Sequence, residues 1–177
     1  MDNLYNTEQI ATHNQQSLTR LVRSIVLSQG QFSLILARCN YARLQLKLIL
    51  QLQQAAPISV QKLILPDSVE TLYTTLCSAI KHEPPAAFMV SGLENVKALD
   101  QLLNSTNQVR DEFRKKFNFP LILWITDEVA TKLIRLAPDF KSWAAATIKF
   151  DIATHELVEY LHQQASLLFS SAELKIK

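Results

Sequence analysis

The chain has 177 residues, 48% of them hydrophobic and 19% charged, with a formal net charge of +2. That length and apolar content fit one domain able to bury roughly 70% of the surface its unfolded chain exposes, and they exclude a disordered polymer. So small a net charge excludes nucleic-acid binding driven by bulk electrostatics. The N-terminus, MDNLYNTEQIATHNQQ, carries no secretion signal, and no apolar run nears the ~20 residues of a membrane helix, so a cytoplasmic protein is expected. Cys39 and Cys77 stand far apart, form neither a disulfide framework nor a metal knuckle, and are expected as reduced core thiols.

Residues 1–14 are expected as a flexible N-terminus, and 15–177 as a single α/β domain. From Gln15, the spacing of Leu18, Leu21, Val22, Ile25 and Val26 predicts a helix, with Gly30 just past its end as a C-cap. Phe32–Ala37 is apolar on both faces, as an interior parallel strand is. The stretch YARLQLKLILQLQQ carries two periods at once. Leu44, Leu46, Leu48, Leu50 and Leu52 alternate like a strand, yet most residues here favour helices, and Tyr41, Leu44, Leu48, Ile49 and Leu52 share one helical face. A parallel sheet needs a crossover at this point, so a helix is expected.

Val60–Leu65 is the second strand. Pro66 and Asp67 lead into a helix with a capping-box pattern, Asp67 to Glu70, and a stripe of Val69, Leu72, Tyr73, Leu76, Ala79 and Ile80, ended by Glu83-Pro84-Pro85. Ala86–Val90 is the third strand, closed by Ser91-Gly92-Leu93-Glu94. A long helix then turns Leu99, Leu102, Leu103, Thr106, Val109, Phe113 and Phe117 inward, with Asn104-Ser105-Thr106-Asn107 as the place for a kink or split. Pro120 is harmless at the start of a strand, and the uncharged run Leu121–Ile125 places Trp124 in the core. Asp127 offers an N-cap to a helix carrying Val129, Ala130, Leu133, Ile134 and Ala137, which Pro138 stops. Thr147–Phe150 is the fifth strand. A last helix from about Thr154 is expected to bury Leu157, Val158, Leu161, Ala165 and Leu168, and its uncapped end at Lys177 suggests a fragment of a longer chain. The sum is an α/β fold: a five-stranded, mainly parallel sheet with helices on both faces.

In such sheets ligands bind beyond the C-terminal strand ends. A phosphate loop there needs glycines whose amides close around phosphates, a lysine to neutralise them and a hydroxyl for magnesium. The first strand leads instead into Ala37-Arg38-Cys39-Asn40-Tyr41-Ala42-Arg43, and the chain has only two glycines, Gly30 and Gly92. The dinucleotide fingerprint is excluded on the same ground. Glu94 fits either a relic of a magnesium-binding carboxylate or a simple complement to the helix dipole that follows. Cys39 has no base marked for it. His155, Glu159 and His162 share a helical face but lack the zinc-protease spacing, so they read as a solvated face. Arg110, Arg114, Lys115 and Lys116 are interrupted by Asp111 and Glu112 and read as a solvated helix end rather than a nucleic-acid surface. No catalytic residue, metal or cofactor is expected.

Three segments carry a resemblance: Pro120–Trp143 (PLILWITDEVATKLIRLAPDFKSW) with the strand-like TIKF after it, Phe88–Glu94 (FMVSGLE) and Phe32–Asn40 (FSLILARCN). Over about residues 15–152 the chain resembles STAND-type, AAA-like P-loop NTPases. It looks most like the degenerate NTPase-like domain at the N-terminus of bacterial, often cyanobacterial, proteins with tetratricopeptide or WD repeats. The resemblance implies a strand order of 5-1-4-3-2 and a crevice holding Arg38, Asn40, Glu94, Thr126 and Asp127. Glu94 stands for the acidic residue, and Thr126 or Asp127 for the polar sensor. It implies a non-catalytic regulatory or adaptor module whose partner is another protein or its own repeats. The rival is a nucleotide or small-ligand domain using Arg38, Arg43 and Glu94 without a phosphate loop. Phe140 and Trp143 need cover in any case. They either pack under their own loop, or Trp143 anchors a partner.

Overall fold

Five short stretches rich in Leu, Ile, Val and Ala pair side by side in one direction. They are β1 (Ser33–Arg38), β2 (Val60–Ile64), β3 (Ala87–Ser91), β4 (Pro120–Ile125) and β5 (Ala144–Lys149), in the order β2-β3-β4-β1-β5 and all parallel. Read from the other edge this is 5-1-4-3-2, the order the resemblance implies. The structure is a computed structural model and describes residues 2–80 and 83–173.

Strand position explains strand sequence. Central β4 is buried at every residue, whereas edge strand β5 exposes alternate positions and edge strand β2 exposes Gln61, Lys62 and Ile64. One face of the sheet packs on α1 (Asp2–Leu27) and α2 (Ala42–Ala55): Leu18, Leu21, Ile25, Leu48, Ile49 and Leu52 meet Ile35, Met89, Ile122 and Trp124. The other packs on α3 (Leu72–Ala79), α4 (Leu99–Gln108), α5 (Arg110–Lys116), α6 (Asp127–Leu136) and α7 (Pro138–Ser142), through Leu72, Leu76, Leu102, Phe113, Leu133 and Phe140. Only β1 crosses to the far edge over the first face. The later crossovers step back over the second, as right-handed connections require. An α8 helix (Thr154–Glu173) closes the described chain.

Several expectations are corrected. The first helix begins at Asp2, not Gln15. The third begins at Leu72 rather than Asp67, so no Asp67–Glu70 capping box forms. Asp67 instead pairs with Lys97 (2.7 Å), and its carbonyl accepts from the Lys97 amide (2.9 Å). The long helix is split, at Val109, which is exposed rather than inward. Thr126, not Asp127, caps α6: its hydroxyl accepts from the Val129 amide (3.2 Å). Ile134 is exposed, and Pro138 both ends α6 and opens α7 as its first residue. The fifth strand starts at Ala144. Val158, Leu161 and Ala165 of α8 are exposed and Leu157 is half-buried; Leu168 lies outside the described side chains. Gly92 is needed twice over, for its φ of +90° and because a Cβ there would sit 3.2 Å from the Leu65 carbonyl oxygen.

Candidate crevice at the switch point of the sheet

β1 and β4 lie side by side, and the helices that follow them, α2 and α6, leave to opposite faces. This divergence opens the crevice in which α/β sheets bind ligands. Here the chain's own side chains close it. Arg38, the last residue of β1, donates from Nε (3.1 Å) and Nη2 (2.6 Å) to Asp127 Oδ1 at the start of α6. Asn40 donates from Nδ2 to Asp127 Oδ2 (3.0 Å), and its own Oδ1 accepts from the Asp127 amide (2.8 Å). Both carboxylate oxygens are therefore occupied, and Asn40 pins side chain and backbone at once.

The electrostatics agree. Hydrogen bonds from Asn40 and Arg38, with the Arg38 charge, hold the Asp127 carboxyl below the usual carboxylate range. A carboxylate so engaged is an anchor rather than a base awaiting a proton. Only three residues, Cys39 to Tyr41, join β1 to α2, and among the described residues positive φ occurs at Gly30 and Gly92 alone. The converging amides of a phosphate nest need alternating right- and left-handed backbone, which this connection lacks.

The other expected residues do not converge here. Glu94 sits exposed in a short 3-10 turn, Leu93–Asn95, and forms no hydrogen bond or ion pair with Arg38, Asn40, Thr126 or Asp127. Arg43 turns to Gln163 of α8. Cys39 is buried, its thiol donates to the Tyr41 carbonyl (3.5 Å), and burial pushes it up to about 11, which disarms it as a nucleophile. His155 meets Thr7 (3.1 Å), and no group of three metal-ligating side chains forms among the described residues.

No protein-family model matches the chain, and no curated protein is significantly similar to it. A solved structure that it resembles is the RuvB Holliday junction branch migration motor of Thermotoga maritima, at 16% identity and a TM-score of 0.45. The match covers 91% of this chain and 51% of that one, so this chain spans about half its length. A likeness that loose carries no residue role or activity across; the strand order rests on the hydrogen-bonded pairs themselves.

Two arrangements near the crevice had no signal in the sequence. Asn14 of α1 donates to the Asp151 carbonyl (2.7 Å) and accepts from the Asp151 amide (3.0 Å), while Ser17 donates to the Lys149 carbonyl (2.9 Å). These bonds clasp the end of β5 from 132 to 137 residues away in sequence. Beside them, Arg43 and Lys47 of α2 and Glu156 and Glu159 of α8, all exposed, line a cavity of about 290 Å³, and Tyr160 of α8 meets the Tyr41 ring edge-on at 6.0 Å.

At the opposite end of the sheet, Phe140 is buried 5.0 Å from the Phe113 ring, so it has no surface to offer a partner. Trp143 is half-buried. Its ring meets Phe32 edge-on at 6.4 Å and carries the Arg114 guanidinium 4.2 Å above it. That stack gives one member of the basic cluster a specific contact.

Proposed function

We propose that this chain is a non-catalytic pseudo-NTPase module that works by contact with protein, as a regulatory or adaptor part of a larger cytoplasmic signalling protein. The observation that carries the first half is the Arg38–Asp127–Asn40 network: the crevice where a nucleotide would bind is filled by mutually satisfied groups. Opening it would leave Arg38 and Asp127 unpaired without offering amides in exchange. The second half is supported by the exposed apolar residues Val158, Leu161 and Leu167 on α8. Titration of a fluorescent ATP analogue with magnesium tests the reading. No saturable binding is expected, and no thermal shift, since a ligand at 100 times its Kd would add about 2.7 kcal/mol. Micromolar, magnesium-dependent binding overturns it.

A further inference from the structure

A cavity of about 580 Å³ opens at the N-terminal end of the sheet, between α3, α5 and the entry to β4. Its volume falls in the roughly 300–1,000 Å³ range of small-molecule sites. Tyr73, Ile80 and Pro84 present its apolar wall, backed by the buried rings of Phe117 and Phe119. The wall is stiff because the rings stack on one another: Tyr73 to Phe117 at 5.8 Å and Phe117 to Phe119 at 5.4 Å. Two consecutive lysines, Lys115 and Lys116, stand beside it, and no carboxylate lines it among the described residues. Lys115 is tied to Glu112 (2.8 Å), which holds its ammonium charged. Lys116 has no hydrogen-bond or ion-pair partner among the described residues. Basic residues in a last helical turn also answer the helix dipole, but that need alone explains neither the cavity nor the absence of carboxylates around it.

We propose that this cavity binds a small amphipathic anion, an apolar body against the aromatic wall with a carboxylate or phosphate head on Lys115 and Lys116. The site is separate from the closed crevice, and it stands or falls independently of the non-catalytic reading. Tyr73 suits such a head. Burial and the neighbouring Cys77 thiol push its hydroxyl up, so it stays a protonated donor at neutral pH. An apolar ligand without the charge would leave Lys116 unanswered, and a free inorganic anion would leave the wall wet. The two features together select the amphiphile.

Cys77 lines the cavity and is half-buried, whereas Cys39 is buried, so Cys77 reports occupancy. The rate at which iodoacetamide labels Cys77 is measured on the whole chain with decanoate, with decyl phosphate, and with decyltrimethylammonium as a cation of equal chain length. Decanoate or decyl phosphate at millimolar concentration is expected to slow labelling by about fivefold, saturably, and the cation is expected to leave it unchanged. Which anion protects at lower concentration identifies the head group. The K115Q/K116Q pair, and K116Q alone as the milder change, should raise the concentration needed by about tenfold in the pair without moving the urea midpoint of K116Q. The proposal is overturned by equal protection from cation and anion, by no protection from any of the three, or by undiminished protection in both lysine variants.

Discussion

The two ends of this sheet have been treated oppositely. At the C-terminal end, where α/β folds keep their chemistry, polar groups bond one another across the switch point: Arg38 and Asn40 on Asp127, and Asn14 on Asp151. At the N-terminal end, usually structural, an aromatic-walled cavity lies open beside Lys116, which is unpaired among the described residues, and an arginine lies on a half-buried tryptophan. A fold's customary ligand end is a matter of what the loops present, not of the sheet itself. Three residues between β1 and α2 cannot build a phosphate cradle, so the same crossing of helices that makes a site elsewhere makes a joint here.

The comparison supposes a rigid sheet joining the two ends, and Trp124 is its hardest test. It is fully buried in β4 and stacks on Phe150 at 5.6 Å. Trp124→Ala should cost roughly 3–5 kcal/mol in urea melts. Its Nε1 has no hydrogen-bond partner among the described residues, so Trp124→Phe forfeits packing alone and should cost no more than about 1.5 kcal/mol. A loss below about 1 kcal/mol for the alanine variant, the range of surface changes, would mean that the two ends are not coupled through a packed strand.

Trp143 at the open end should cost less. Its alanine variant gives up the Phe32 edge and the Arg114 stack but little deep burial, for about 1–2 kcal/mol. Arg114→Ala should reproduce about 0.5 kcal/mol of that, and the double variant should be less than additive. Strict additivity in the cycle would break the claim that the two side chains form one unit.

The closed end is sharpened by pH. Asp127 has a folded pKa held below its unfolded value of about 3.9, so the stability it adds is fully present above that value and is lost as pH falls through the folded one. Its side chain is 50% exposed, so solvent screening limits the effect to about 1 kcal/mol. Wild type should therefore exceed Asp127→Asn by about that much at pH 7, and the gap should close as pH falls below about 5 and through the folded pKa. A gap that does not change with pH would mean that the network is held by shape rather than charge.

What the sequence shows and hides follows from range. The strands, the helical reading of the leucine-rich stretch and the buried Trp124 rest on local period and composition, and they stand. The start of α3 went wrong because Asp67 has the right local pattern but a better partner thirty residues on, in Lys97. Thr126 outcompeted Asp127 as a cap because Asp127 was claimed by Arg38 and Asn40, 89 and 87 residues back. Arg38, Asn40 and Asp127 were legible as crevice residues from the resemblance. That they cancel one another was not, since spacing carries no sign of who faces whom. Period also fixes that a stripe exists without fixing which way it points.

The smallest expected effect tests that last point on α8. Leu157, Val158, Leu161 and Ala165 make a clean helical stripe, which in an isolated domain should face the core. Instead only Leu157 of that stripe is half-buried, with Tyr160 beside it, while Val158 and Leu161 are 46% and 54% exposed. Two contacts hold that orientation: Arg43 bonds Gln163, and the Tyr41 ring meets Tyr160 edge-on at 6.0 Å. Leu161→Glu then removes an apolar group from water rather than from a core, so it should change stability by less than about 0.5 kcal/mol and lower any tendency to self-associate. A loss of about 2 kcal/mol or more in the same urea melts would place Leu161 in a core after all. The helix would then be turned about its axis.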